Sequence, residues 1–125
     1  MNRILVVDDD LPTLEVIKLL FEMEGFNVMG LDNCSKLGYS IQTFIPNLIL
    51  MDVIMGGIDG RDICKELKSS VHNDIPIVLM SVVNGFYKDE KKPLYSDDYI
   101  EKPFELDIML SKIKILIKHN SYPVI

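Results

Sequence analysis

Along this chain, short unbroken apolar runs alternate with longer stretches in which apolar residues recur every three or four positions. Ile4–Val7 and Leu48–Met51 are continuous apolar runs, the pattern of strands covered on both faces. Phe26–Leu31, Ile75–Met80 and Asp98–Ile100 read as three further strands. Between the strands the helical period takes over. Leu11–Met23 carries Leu11, Leu14, Ile17 or Val16, Leu20 and Phe21 on one stripe; Pro12 suits its first turn and Gly25 closes it. Ser35–Ile45 repeats the period at Leu37, Ile41 and Phe44-Ile45, and Pro46 stops it. Arg61–Ser69 turns Ile63, Cys64 and Leu67 inward, and the closing helix Glu105–Lys118 does the same with Leu106, Met109, Leu110, Ile113, Leu116 and Ile117. The stretch from Gly56 to Gly60 reads as a turn. After the fourth strand the pattern weakens. Asn84-Gly85 signals a turn, Lys88–Lys92 has little stripe, and Pro93 cannot sit inside a regular helix, so at most a short helix is expected over Phe86–Lys92.

Strands alternating with helices predict an α/β fold, a parallel sheet with right-handed crossovers and helices on both faces. For five strands we expect a flavodoxin-like, doubly wound sheet in the order 2-1-3-4-5, with an atypical short fourth helix. In that order strands one and three are neighbours at the switch point, and ligands bind beyond the carboxyl ends of the strands. Four strands end on polar residues there: Asp8-Asp9-Asp10, Asp52, Ser81, and Lys102-Pro103 just after the fifth.

At 125 residues the chain suits one domain over 1–125, with its core at about 3–118. The apolar share of 48% and charged share of 26% are those of an ordinary soluble protein. With 13 basic residues, two of them arginine, and a net charge of −6, direct nucleic-acid binding by this domain is not expected. Cys34 and Cys64 lack disulfide or metal spacing and read as free thiols of a reducing compartment. The apolar stretch from Leu48 to Ile58 is broken by Asp52 and Gly56-Gly57, and the amino-terminal run meets three aspartates, so neither a membrane span nor a signal peptide is expected. A cytoplasmic location is the corresponding expectation.

Three or four carboxylates at one rim repel one another unless something neutralises them. Hard oxygen ligands with no histidine or thiolate nearby point to Mg²⁺. Lys102 brings a compact positive charge, and Ser81 can donate a hydrogen bond to a phosphoryl oxygen. A carboxylate nucleophile among a cation, an ammonium and a hydroxyl is a site for phosphoryl transfer.

Five pieces in order, Val6-Val7-Asp8-Asp9-Asp10, Leu50-Met51-Asp52-Val53-Ile54-Met55, Gly57-Ile58-Asp59-Gly60, Met80-Ser81 and Asp97-Asp98-Tyr99-Ile100-Glu101-Lys102-Pro103-Phe104, resemble the receiver domain of two-component response regulators. The resemblance runs from Arg3 to about Lys118. It implies a phosphorylation-controlled signalling switch rather than an enzyme, since such a domain catalyses only its own aspartyl phosphorylation and dephosphorylation. It further implies that Asp52 accepts the phosphoryl group from a histidine kinase or phosphotransfer protein. Asp9, Asp52 and the carbonyl of Ile54 would bind Mg²⁺ directly, with Asp8 acting through a metal-bound water. Ser81 and Lys102 would contact the phosphoryl oxygens, and Tyr99 would be the aromatic that turns inward with the switch hydroxyl. The Lys102-Pro103 bond would be cis. The output partner is not named by the resemblance, and a homodimer stays open. The chain departs from the family pattern in three places. Gly56 stands where proline usually follows the methionine, which implies a more mobile loop; Val82 replaces a smaller residue after the switch hydroxyl; and Pro93 shortens the fourth helix.

Other readings compete. An FMN-binding module would need a Ser/Thr/Gly-rich phosphate loop where three aspartates stand. A haloacid-dehalogenase-type phosphatase could use Asp8 and Asp10, but Pro12 occupies the position of its Thr or Val. A receiver that keeps the fold only as a phosphorylation-independent interaction module is the alternative within the family. Taken singly, Asp10 and Asp59 read as helix caps, Tyr99 as core, and His72 and His119 as surface residues.

Overall fold

The computed structural model describes residues 2–82 and 95–121, with side chains to residue 118. In chain order the elements are β1 (Arg3–Val7), α1 (Leu11–Met23), β2 (Asn27–Leu31), α2 (Leu37–Phe44), β3 (Leu48–Asp52), β4 (Ile54–Met55), β5 (Ile58–Asp59), α3 (Gly60–Lys68), β6 (Ile77–Val82), β7 (Asp98–Lys102) and α4 (Leu106–Ser121). Five of the strands form one sheet in the order β2-β1-β3-β6-β7, each neighbouring pair parallel. Counted along the chain, these are strands 2-1-3-4-5 of a doubly wound, flavodoxin-like sheet. The short helix expected over Phe86–Lys92 lies outside the described residues.

The two-residue period of the strands sorts the core into two layers. Ile4, Val6, Leu48, Leu50, Val78, Met80 and Ile100 pack with Leu14, Ile17 and Phe21 of α1 and Met109 and Ile113 of α4. Leu5, Val7, Ile49, Met51, Ile77 and Leu79 pack with Leu37 and Ile41 of α2 and Cys64 of α3. Most of these side chains are fully buried, each worth roughly 1.5–3 kcal/mol relative to exposure. Slipping one strand by a residue would exchange its two faces, so packing holds the register firmly.

Local chemistry sets the element ends, and in places shifts them from the sequence expectation. Asp10 caps α1 by accepting from the Thr13 N–H at 3.2 Å. At the other end Gly25, at φ +94°, donates to the Glu22 carbonyl while Phe26 donates to that of Phe21. This paired closure needs a left-handed residue at Gly25 and packs the Phe26 ring edge-to-face on Phe21, 6.1 Å between centroids. Because the Phe26 N–H is spent there, β2 begins at Asn27. Asn33 accepts from the Ser35 N–H in a turn, so α2 starts at Leu37 and not Ser35. It stops at Phe44 because Ile45, before Pro46, takes φ +52°. Pro76 has no N–H to give a ladder, and β6 starts at Ile77.

The larger difference lies after β3. The stretch read as a turn is a hairpin, with β4 and β5 paired antiparallel around Gly56-Gly57. Both glycines have positive φ, +50° and +85°, the signature of a type I′ turn. At the other rim strands, β6 and β7 run to Val82 and Lys102, so Ser81 and Lys102 are themselves strand residues held in the ladder.

Candidate functional site

Continuing each strand's alternation two residues past its last core position delivers the site. On the α1/α4 face, Val6 leads to Asp8, Leu50 to Asp52 and Ile100 to Lys102. Three strand ends therefore place two carboxylates and an ammonium on the same side of one rim. Lys102 Nζ lies 2.9 Å from Asp8 Oδ2 and 3.1 Å from Asp52 Oδ2, bridging them. Asp8 is fully buried, and its Oδ1 also accepts from the Asp10 N–H at 3.0 Å. Asp9 is exposed at the start of the β1–α1 turn, and its Oδ2 accepts from the Gly56 N–H at 2.8 Å. One carboxylate oxygen from each of Asp8, Asp9 and Asp52 lies within 4.8 Å of the others.

The electrostatics follow from burial. Desolvation raises the Asp52 pKa above the usual carboxylate range and Asp8 adds to the rise; the Lys102 charge and hydrogen bond and the Ile54 N–H oppose it without cancelling it. Burial alone would lower the Lys102 pKa, but its bonds to Asp8 and Asp52 and their charges outweigh that and hold it above the ordinary lysine value. The ammonium therefore stays charged, and it offsets only part of the negative charge around it. A divalent cation with oxygen ligands fits the remaining charge.

Ser81 and Tyr99 are placed differently. Ser81 is buried, but the alternation of β6 turns it toward the α2/α3 face, opposite to Asp52. Among the described residues its hydroxyl reaches the Val82 carbonyl at 3.4 Å rather than Asp52 or Lys102. Tyr99 stands outward on the edge strand, 39% exposed, with Lys112 Nζ 5.2 Å from its ring centroid. Val82 is half-exposed and lies in register with Lys102, on the Asp52 side of the sheet. The Lys102-Pro103 peptide is cis.

Ile54 reaches the site through its main chain. In a two-residue hairpin the residues beside the turn, Met55 and Ile58, exchange the ladder bonds, and the next pair does not. Ile54 pairs with Asp59 without a ladder bond from its own N–H, and that N–H donates to the Asp52 carboxylate.

Three supporting features escaped the sequence reading. Gly56 was expected to loosen the loop; instead it forms a defined turn tied to Asp9. The signal was present, since Gly-Gly between apolar residues marks a two-residue hairpin. Arg61 is buried and grips Asp59 with Nε and Nη2, joining the hairpin to α3, while Asp59 also caps that helix. Gly60 lies so close under β3 that a Cβ there would stand 2.3 Å from the Asp52 carbonyl oxygen. Cys64 is buried, its thiol pushed up to about 11 by desolvation, and Cys34 is half-buried; both are free. His72 is half-buried rather than a surface residue, and the His119 side chain lies outside the described residues.

Residues 4–114 match the family model described as the response regulator receiver domain. The chain belongs to that family. It is 30% identical over 124 residues to the DNA-binding dual master transcriptional regulator RpaA of Synechocystis, a match covering 96% of this chain and 51% of that protein. It is 30% identical to the heme response regulator HssR of Staphylococcus saprophyticus, over 94% of this chain and 52% of the relative. The chain thus spans about half the length of these curated relatives. Among solved structures, a Francisella response regulator receiver domain superposes with TM-score 0.85 at 26% identity, covering 97% of this chain and all of that one. The response regulator TrrA of Thermotoga maritima, solved in complex with Mg²⁺-BeF, matches with TM-score 0.77 at 28% identity, over 93% of this chain and 99% of that one. Receiver domains are signalling domains of two-component systems rather than classical enzymes and bind Mg²⁺ at an acidic pocket, and this chain has an aspartate cluster. No helix among the described residues is long and apolar enough to cross a membrane.

Proposed function

We propose that this domain, taken as one receiver over residues 1–125, is a phosphorylation-controlled switch that accepts a phosphoryl group on Asp52 from a histidine kinase or phosphotransfer protein. The observation that carries the reading is the Lys102 bridge between Asp8 and Asp52 beside Asp9. An ionised Asp52 oxygen attacks the phosphorus of a phosphohistidine. A P–O bond forms as the P–N bond breaks, and the departing imidazole takes a proton from solvent. Asp8, Asp9, Asp52 and the Ile54 main chain would hold Mg²⁺, which when bound offsets charge on the carboxylates and the transferring group. Lys102 is within reach to turn from Asp8 and Asp52 toward the new phosphoryl oxygens. Ser81 joins by leaving its long contact with the Val82 carbonyl, and Tyr99 then gives up its outward position. Phosphorylation biases two conformations by adding charge that these groups must answer. We place this chemistry in the cytoplasm and leave the output to a partner, a further domain or a second copy of the chain.

The test is incubation with acetyl phosphate and Mg²⁺ followed by intact-mass measurement. The wild type should gain one phosphoryl group and Asp52→Asn should gain none. Equal labelling of the two would overturn the assignment of Asp52. Absence of labelling in both would favour the phosphorylation-independent interaction module.

A further inference from the structure

We propose that Gly56 is a positioning residue: its main-chain N–H holds the Asp9 carboxylate in the orientation that binds the cation. This rests on the metal reading given above and adds a residue to it. Each of the three clustered carboxylates accepts from a main-chain N–H: Asp8 from Asp10 at 3.0 Å, Asp52 from Ile54, and Asp9 from Gly56 at 2.8 Å. Asp8 and Asp52 are also gripped by Lys102. Asp9 is not, and it is the exposed member of the cluster, so among the described residues the Gly56 bond is what selects its rotamer. An aspartate free to rotate would lose side-chain freedom on meeting a cation that dehydrates reluctantly; one already held loses less.

The bond takes one acceptor site of the Asp9 carboxylate and leaves the others for a metal, and hydrogen-bonded ligating carboxylates are the usual arrangement at metal sites. The N–H points at Asp9 because the turn has φ +50° at Gly56 and +85° at Gly57. Space is not the constraint: a Cβ on residue 56 would sit 3.9 Å from Asp9 Oδ2, an ordinary contact. The requirements at position 56 are therefore an N–H and a left-handed backbone. Glycine supplies both, and so does asparagine, which favours this turn before a glycine. Proline supplies neither.

The experiment compares Mg²⁺ affinity of wild type, Gly56→Asn and Gly56→Pro by calorimetry, with thermal unfolding to establish that each is folded. Gly56→Asn should bind within about twofold of wild type, and Gly56→Pro about tenfold more weakly. Amide exchange supplies a second readout that does not need the proline variant. The Gly56 amide should be protected in the wild type with and without Mg²⁺, and Asp9→Ala should remove that protection in metal-free buffer. Unchanged or tighter binding by Gly56→Pro, or loss of Gly56 protection as Mg²⁺ saturates, would overturn the proposal and leave the metal site standing. Absence of Mg²⁺ binding by the wild type would remove the metal reading itself.

Discussion

One ammonium group, Lys102, faces two carboxylates at the sheet rim, and at the residue scale that imbalance shapes the site. Burial and Asp8 raise the Asp52 pKa further than Lys102 and the Ile54 N–H lower it. A carboxyl whose folded pKa is raised costs folding free energy once it ionises. Its stabilising contribution is complete below the unfolded value of about 3.9 and is lost as pH rises through the higher folded value. Metal-free Asp52→Asn should therefore melt above the wild type at pH 7, with the gap closing as pH falls toward 4. Thermal unfolding in chelator across that range checks it, and a lower melting point for the variant at pH 7 would mean that the attraction to Lys102 prevails over burial. The candidates themselves were legible in the sequence, because Asp8, Asp9, Asp52, Ser81 and Lys102 each stand at or just beyond a recognisable apolar run. Their partners were not. That Lys102 bridges Asp8 and Asp52 while Ser81 faces the Val82 carbonyl depends on side-chain direction across four strands.

At the scale of elements, strand and helix existence followed from hydrophobic period, while the ends depended on local hydrogen bonds. Phe26 reads as strand by composition, yet its N–H closes α1. The β4–β5 hairpin was written as Gly56-Gly57 between Ile54-Met55 and Ile58, but two-residue strands are too short for a periodic signal. Gly60 ties this hairpin to the site, donating its N–H to the Val53 carbonyl at 2.6 Å. A Cβ at that position would meet the Asp52 carbonyl oxygen at 2.3 Å and the Val53 Cα at 3.1 Å. Both obstacles are main chain and cannot swing aside. Gly60→Ala should cost about 1–3 kcal/mol of stability, the range of an overpacked core, and should slow phosphorylation of Asp52 by displacing its backbone. Denaturant unfolding together with acetyl phosphate labelling tests both effects; wild-type values for the two would show that β3 and α3 can separate at no cost.

At the scale of the whole molecule, the metal site exists only when β1, β3 and the hairpin are assembled, so Mg²⁺ should bind the native state and not the unfolded chain. Stability should rise with Mg²⁺ concentration, by about 2.7 kcal/mol at a hundredfold excess over the dissociation constant, and Asp9→Ala should abolish the rise. Urea unfolding at graded Mg²⁺ measures it, and an unchanged midpoint would count against a native cation site. The alternation of buried runs and helical stripes, together with right-handed crossovers, was enough to set the class of fold and the rim at which the polar strand ends meet, while the order of the sheet was an expectation taken from that class, which the strand pairing bears out. Those properties follow from local period and chain connectivity, both written residue by residue. The tertiary structure alone decided which groups touch: the Lys102 bridge, the Gly56 N–H on Asp9 from 47 positions away, the Arg61 clasp on Asp59, and the outward stance of Tyr99. Such contacts depend on sheet register, on positive-φ turns and on side-chain direction, which arise only when distant segments pack against one another.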